Sequence, residues 1–160
     1  MPFIPPAVEP PAITFQSPIP GRWAGITALR LKVLVVDDNR DSADTLAGLL
    51  LTVGADVRVC YDGPSAVAVA EKFQPDAGLF DIYMPGMDGC ELARRVRAQA
   101  GRRPLFLVAV TGVSTPTAWH RTTEAGFNVH VTKPADPAAL VSTLADFDWW
   151  LRSRVKPPTG

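Results

Sequence analysis

The sequence predicts an α/β domain built on a doubly wound, five-stranded parallel sheet with five helices. Short apolar segments rich in β-branched residues alternate with segments of helical periodicity, and this alternation repeats five times from Leu31 onward. Glycine or proline separates most of the segments. Strands that alternate with helices indicate a parallel sheet covered by helices on both faces, because parallel strands need long connections.

The first elements follow from contrasting apolar patterns. LKVLVV (31–36) is a β-branched run that is too short for a typical helix. ADVRVC (55–60) alternates polar and apolar residues, so this second strand is expected near an edge of the sheet. Between them lies a helix that ends at Gly54, because four apolar residues recur at the spacing of one helical face: Ala43, Leu46, Ala47 and Leu50.

Proline and glycine delimit the middle elements. Gly63-Pro64 opens the second helix, since proline suits the first helical turn, and Pro75 follows its end. AGLF (77–80) is the third strand. The third helix is expected over about 88–98.

The last elements continue the same alternation. LFLVAV (105–110) is the most apolar strand and is expected at the centre of the sheet, where both faces are buried. A weaker helix spans about 116–125, and NVHVT (128–132) is the fifth strand. The last helix starts near Pro137.

Composition favours one globular domain without a strong preference for polyanions. The chain has 160 residues and a formal net charge of zero, so it lacks the broad positive surface that would attract nucleic acid or an anionic membrane.

No window of the sequence reaches the ~18 apolar residues of a membrane span. The N-terminus lacks the pattern of a signal peptide, and we expect a cytoplasmic protein. Cys60 and Cys90 form no ligand motif and are expected as reduced thiols.

Three regions are expected along the chain. Residues 1–30 are rich in proline, which removes backbone donors and fixes φ, so they are expected to form a mobile N-terminal tail. Residues 31–152 form the domain, and residues 153–160 form a short C-terminal tail.

Polar side chains stand where four of the five strands end. Asp37 and Asp38 follow the first strand, Asp81 the third, Thr111 the fourth and Lys133 the fifth. The carboxyl ends of parallel strands meet at one edge of the sheet, so these groups should lie together. Three neighbouring carboxylates repel one another, and a divalent cation relieves that repulsion; an oxygen-only ligand set suits Mg²⁺.

This set of groups suggests phosphoryl transfer. With Mg²⁺ and Lys133 offsetting the charge of a phosphoryl group, Asp81 would act as the nucleophile and form an aspartyl phosphate.

The segments that carry these residues resemble the receiver domain of two-component response regulators. They are VLVVDDN (33–39), LFDIYMPGMDG (79–89), AVTG (109–112) and VTKP (131–134). The resemblance extends from Leu31 to about Arg152, and the residue spacings between the motifs are similar to those of the family. It implies a flavodoxin-like sheet with strand order 2-1-3-4-5.

The resemblance also implies a role for each residue of the site. Asp81 would be the phosphoacceptor, and Lys133 would contact the phosphoryl group. Thr111 would move to hydrogen-bond the phosphoryl oxygen and so act as a switch. The Mg²⁺ ligands would be Asp38 and Asp81 directly, Asp37 through water, and the backbone carbonyl of Tyr83. Pro134 matches a position with a cis peptide bond.

Several positions leave alternatives open. His130 stands where many receivers carry a switching Tyr or Phe, so it is either a second switch residue or a structural strand histidine. Tyr83 and Val113 either hinder water at the phosphoryl group or only line the rim. Trp149 and Trp150 are expected to cap the core, with a partner surface as the alternative. A solvated basic face is expected around helix three, from Arg94, Arg95, Arg97, Arg102 and Arg103.

The sequence therefore predicts a signalling receiver of a two-component phosphorelay. A histidine kinase or histidine phosphotransfer protein would supply the phosphoryl group, and the protein would catalyse only its own phosphorylation and dephosphorylation. Output would pass to an unknown downstream protein by direct contact, without nucleic acid or membrane, because about eight residues follow the last helix. The alternatives are a Mg²⁺-dependent phosphatase with an aspartate nucleophile, which would need a second acid where Tyr83 stands, and a receiver that works without phosphorylation.

Overall fold

The computed structural model describes residues 28–154, and the predicted tails lie almost entirely outside the described residues. The strands are β1 Lys32–Val36, β2 Asp56–Cys60, β3 Ala77–Asp81, β4 Phe106–Thr111 and β5 Val129–Thr132. The helices are α1 Arg40–Thr52, α2 Gly63–Phe73, α3 Gly89–Ala100, α4 Pro116–Ala125 and α5 Pro137–Ser153. Every predicted element is present, with ends that differ by a few residues.

The five strands form one parallel sheet in the order β2-β1-β3-β4-β5, which confirms the expected topology. β2 lies at an edge, as its alternating pattern predicted. β4 is an interior strand that is buried on both faces, as expected, and it lies between β3 and β5. All residues of β3 and β4 are buried, so apolar content alone does not distinguish the two positions.

Alternate residues of each strand supply two separate cores, as the two-residue period of a strand requires. On the face covered by α1 and α5, Val33 and Val35 pack with Leu50 and Phe147. The second core lies on the face covered by α2 and α3. Its buried residues include Leu34, Val36, Phe80, Leu92, Leu107 and Phe127. Because both faces are covered, polar side chains reach solvent mainly at the strand ends.

The packed region begins before the predicted domain boundary. Leu29 is buried in the first core, and its N–H donates to the carbonyl of Val53. The N–H of Arg30 donates to the carboxylate of Asp148 on α5. Residues 29 and 30 therefore pack against the domain, ahead of the boundary expected at residue 31.

A side-chain acceptor begins every helix. Asn39, Asp62, Asp88, Thr115 and Asp136 each accept a backbone N–H of the following turn. Such caps satisfy donors that the helix itself leaves free and contribute about 1 kcal/mol each. Each cap follows the carboxyl end of a strand, so capping also fixes the loops around that edge of the sheet.

Two surface predictions were wrong in part. Arg97 is partly buried and donates to the carbonyls of Gly126 and Leu105 and to Asn128, so it joins α3 to the start of β5 instead of facing solvent. Trp149 is 67% exposed, whereas Trp150 stacks on Phe147 as a core cap should. In both cases the packing of neighbouring elements determines which side chain is covered. The helical periodicity of the sequence does not predict that packing.

Cys60 and Cys90 are buried free thiols, as predicted. Within residues 28–154 no helix has the length and apolar character needed to cross a membrane.

Candidate functional site

The predicted site residues meet at the carboxyl edge of the sheet. Asp37 follows β1, Asp81 and Thr111 are the last residues of β3 and β4, and Lys133 follows β5. β3 pairs with both β1 and β4, and β4 pairs with β5, so these four strand ends are neighbours. Sheet order alone therefore collects groups that are far apart in the sequence.

Three carboxylates form the centre of the site. One oxygen from each of Asp37, Asp38 and Asp81 lies within 4.8 Å of the other two. Asp37 and Asp81 are buried, whereas Asp38 is exposed. A set of closely spaced carboxylate oxygens is the donor set that Mg²⁺ accepts in proteins, and the exposed side leaves room for the waters that this ion retains. The cluster therefore fits the predicted metal.

The ammonium group of Lys133 neutralises part of this charge. Its Nζ donates to Asp37 Oδ2 at 2.8 Å and lies 3.8 Å from Asp81 Oδ2. Asp37 is also held by the backbone N–H of Asn39, which donates to its second oxygen at 2.9 Å. The peptide bond between Lys133 and Pro134 is cis, as expected.

Burial and negative charge disfavour the ionised form of Asp81. Burial is the first cause, the charge of Asp37 adds to it, and Lys133 opposes both, so that the pKa of Asp81 is raised to about 7. A carboxylate in this state needs a further cation before it is fully ionised at neutral pH. The site therefore favours the binding of a cation beside Asp81.

This shift predicts a pH-dependent effect of Asp81→Asn on stability. Because the folded state favours protonated Asp81, the carboxylate weakens folding progressively as pH rises from 3.8 through about 7. Without Mg²⁺ at about pH 8, we expect Asp81→Asn to increase the free energy of unfolding by roughly 2–4 kcal/mol, the upper figure being the full equivalent of the pKa shift. The gain should shrink below pH 7 and on addition of Mg²⁺. Urea unfolding of the wild type and of Asp81→Asn measures this gain, at about pH 8 without Mg²⁺, below pH 7, and with Mg²⁺ added. A gain independent of both pH and Mg²⁺ would contradict the explanation.

Thr111 is fully buried beside the cluster. Its Oγ1 accepts the N–H of Val113 at 3.2 Å, and its carbonyl accepts the N–H of Lys133 at 2.8 Å. Thr111 is thus linked both to the loop that leads into α4 and to the residue that carries the ammonium group.

The loop from Asp81 to α3 folds back on the strand that carries Asp81. The N–H of Gly89 donates to the carbonyl of Ile82 at 2.9 Å. A Cβ at position 89 would lie 2.2 Å from the carbonyl oxygen of Asp81 and 2.9 Å from Cα of Ile82. Only glycine allows this approach of two backbone segments. The sequence reasoning missed this role, although the glycine and proline content of LFDIYMPGMDG signalled a tight loop.

A second missed feature connects this loop to α4. One oxygen of Asp88 accepts the N–H of Glu91 and caps α3, while the other pairs with Arg121 of α4. Asp88 therefore joins the loop after Asp81 to the next helix along the sheet. Nothing in the spacing of these residues signals the pairing, which depends on how α3 and α4 pack.

The remaining predicted residues lie at the rim or outside the cluster. Tyr83 is 49% exposed and Val113 is 39% exposed. His130 is buried between α4 and the loop that precedes it: the ring stacks on Trp119, and Nε2 lies 3.3 Å from the carbonyl of Val113. His130 thus contacts the loop that holds Thr111 and makes no hydrogen bond to a carboxylate of the site.

A family model described as the response regulator receiver domain matches residues 33–145. The chain belongs to this family. Receiver domains are signalling domains of two-component systems that interact with kinases or phosphotransfer proteins, and they bind Mg²⁺ at an acidic pocket.

Curated relatives support this assignment. An uncharacterized 14.6 kDa protein of Leptolyngbya boryana is 33% identical over 121 residues, which cover 76% of this chain and 92% of that protein. The DNA-binding response regulator MtrA of Mycobacterium tuberculosis is 32% identical over 116 residues, which cover 72% of this chain. This receiver chain aligns with only 50% of the length of MtrA.

Solved receiver structures share the fold. The chemotaxis protein CheY4 of Vibrio cholerae has a TM-score of 0.68 and 29% identity, and the match covers 72% of this chain and 97% of that one. The receiver domain of the sensor histidine kinase PA1611 of Pseudomonas aeruginosa has the same TM-score and identity, with 75% and 98% covered. That structure has a magnesium ion in its active-site cleft.

Proposed function

We propose that this receiver accepts a phosphoryl group on Asp81 and later loses it by hydrolysis. The main support is the approach of a carboxylate nucleophile, two further carboxylates and one ammonium group at a single strand edge. An oxygen of Asp81 attacks the phosphorus of a phosphohistidine, the P–N bond breaks, and the imidazole nitrogen of the donor leaves with the electron pair and takes up a proton. Hydrolysis of the resulting acyl phosphate releases inorganic phosphate.

Several residues of the chain would have separate roles in this transfer. Asp38 and Asp81 would hold Mg²⁺ directly, Asp37 would act through water, and the carbonyl of Tyr83 would complete the protein ligands. The ion would neutralise charge on the phosphoryl oxygens. Lys133 lies close enough to Asp81 to contact the same group. Positioning and charge compensation of this kind supply most of the catalysis in phosphoryl transfer.

The signalling context of the chain is part of the same proposal. A histidine kinase or histidine phosphotransfer protein in the cytoplasm would donate the phosphoryl group. Thr111 would turn toward the phosphoryl oxygen, and the altered surface would be recognised by a downstream protein. The neutral net charge favours output through protein contact by this domain over direct contact with nucleic acid.

Intact mass spectrometry after incubation with Mg²⁺ and acetyl phosphate tests this function. The wild-type chain should gain the mass of one phosphoryl group, and the gain should need Mg²⁺. Asp81→Asn should show no gain, whereas the matched Asp56→Asn, at the start of the edge strand β2, should behave as the wild type does. A gain that persists in Asp81→Asn would contradict the proposal.

The exposed ring of Tyr83 predicts a long-lived phosphoaspartate. The ring lies two residues after Asp81 at the rim, where it would hinder the approach of water to the phosphoryl group. Tyr83→Asn should therefore accelerate loss of the phosphoryl group by roughly tenfold, the equivalent of about 1.4 kcal/mol in the barrier. The decay of phosphoprotein after removal of acetyl phosphate measures this rate. Tyr83→Phe keeps the ring and should decay at the wild-type rate; equal decay of all three proteins would exclude the steric effect.

A further inference from the structure

The His130 ring is held on three sides. Its side chain is 8% exposed, and the ring stacks on Trp119 with centroids 5.0 Å apart. Nδ1 lies 3.3 Å from Oγ1 of Thr122, and Nε2 lies 3.3 Å from the carbonyl oxygen of Val113. A ring that is hydrogen-bonded at both nitrogens and covered on one face is fixed in place. This position therefore does not carry a freely swinging switch side chain.

Val113 connects this ring to the phosphorylation site. Its carbonyl faces His130 Nε2, and its N–H donates to Oγ1 of Thr111. The same residue of the β4–α4 loop thus contacts the imidazole on one side and the threonine hydroxyl on the other. Movement of Thr111 toward Asp81 removes the acceptor of the Val113 N–H and changes the position of the Val113 carbonyl.

Protonation gives the His130 ring a second donor and makes its hydrogen bond to the carbonyl of Val113 charge-assisted, and therefore stronger. The carbonyl of Val113 needs a proton on Nε2, which leaves Nδ1 of a neutral ring without one. In the neutral ring Nδ1 accepts the hydroxyl hydrogen of Thr122, and the carbonyl of Trp119 then relies on Oγ1 of Thr123, which donates to it at 2.8 Å. A charged ring donates from both nitrogens and lets Thr122 donate to Trp119. The stacked indole also favours a cation on its face.

The surroundings of His130 let it titrate as an isolated group. Burial lowers the pKa of the ring from its ordinary value, and the hydrogen bond to Val113 partly opposes this. The groups that face it from α4, β4 and the β4–α4 loop do not titrate: Trp119, Thr122, Ala109 and Val113. Charged side chains nearby in the sequence have partners of their own: His120 with Glu124, Arg121 with Asp88, and Lys133 with Asp37.

We propose that His130 is a proton-dependent positioning residue whose charged form braces the β4–α4 loop and opposes the movement of Thr111 on phosphorylation. This inference rests on the proposed function, because it requires phosphorylation to draw Thr111 toward Asp81. Coupling between two binding events is reciprocal. Occupation of the phosphoryl site should therefore make His130 harder to protonate, and protonation of His130 should weaken binding at the phosphoryl site.

NMR titration of the two histidine rings of the chain tests this coupling. The full chain is titrated with Mg²⁺ alone and with Mg²⁺ plus beryllofluoride, a phosphoryl mimic, and His120→Gln assigns the signals. Beryllofluoride should lower the pKa of His130 by about half a unit. His120 provides the internal control, because its side chain is 77% exposed on the surface of α4 and pairs there with Glu124, so beryllofluoride should leave its signals unchanged.

A variant without a titrating ring supplies the second measurement. The affinity for beryllofluoride is measured at about pH 5.5 and pH 7.5 for the wild type and for His130→Gln, which cannot gain a charge in this range. Relative to His130→Gln, the wild type should bind about twofold more weakly at the lower pH, because a half-unit shift of the pKa limits the effect to about threefold.

The outcomes separate the coupling from the function on which it rests. A His130 titration that is unaltered while the ¹⁹F signal shows bound beryllofluoride would overturn the coupling alone. An equal pH dependence of affinity in the wild type and His130→Gln would do the same. Absence of any bound ¹⁹F signal would contradict the proposed function, and the coupling would fail with it.

Discussion

Replacement of Lys133 by glutamine is expected to slow phosphorylation from acetyl phosphate by about 100-fold or more. The Nζ of Lys133 lies 2.8 Å from Asp37 and 3.8 Å from Asp81. Its loss removes the charge that lowers the pKa of Asp81, so less of the nucleophile is ionised. It also removes the fixed cation that would meet the phosphoryl oxygens in the transition state. The initial rate of phosphoprotein formation, followed by intact mass at saturating Mg²⁺, measures the effect.

Two control variants distinguish the loss of the positive charge from a general effect of substituting a lysine. Lys133→Arg keeps the charge but changes its shape, and its rate should fall between those of the wild type and Lys133→Gln. Lys72→Gln removes an exposed lysine at the end of α2 and should leave the rate unchanged. A Lys133→Gln rate within threefold of the wild type would show that the ammonium group contributes little to the transfer.

Gly89→Ala is expected to have the second large effect, on both stability and Mg²⁺ binding. The added Cβ would lie 2.2 Å from the carbonyl oxygen of Asp81, and backbone atoms on both sides must shift to admit it. Overpacking of this kind costs about 1–3 kcal/mol. The shift displaces the strand end that carries Asp81, so Mg²⁺ affinity should fall together with stability. Urea unfolding and Mg²⁺ titration, followed by tryptophan fluorescence, measure the two effects.

Gly48→Ala is the matched control for this substitution. Gly48 lies within α1, and a Cβ there meets no atom within 4 Å. Because alanine is the better helix former, Gly48→Ala should stabilise the fold by up to about 1 kcal/mol and leave Mg²⁺ affinity unchanged. If both variants had the same effect on Mg²⁺ affinity, the close approach of Gly89 to Asp81 would have no role in shaping the site.

The grouping of the candidate site residues could be predicted from the sequence because strand ends are encoded locally. Asp37, Asp81 and Thr111 each stand directly at the end of a buried apolar run, and parallel strands bring such ends to one edge. Identifying the strands therefore identified the cluster, without knowledge of any side-chain contact. The relative position of β3 and β4 came instead from the resemblance to the family, because both strands are buried over their whole length and their apolar content does not distinguish them.

Features that depend on contacts between helices and loops were not predictable. Whether Arg97 points to solvent or to the carbonyl of Gly126 depends on how closely α3 and α4 approach. The pairing of Asp88 with Arg121 has the same origin. The sequence left His130 open between a switch and a structural residue, and only the positions of Thr122 and Val113 show that its ring is held at both nitrogens.

Chemical mapping of the phosphorylated residue tests the central claim most directly. After reaction with Mg²⁺ and acetyl phosphate, borohydride reduces an acyl phosphate on aspartate to the alcohol of homoserine, which peptide sequencing by mass spectrometry locates. The carboxylate cluster beside Lys133 predicts homoserine at position 81 and at no other aspartate. Homoserine at another aspartate, or a phosphorylated chain with none at position 81, would contradict the assignment of Asp81 as the phosphoacceptor.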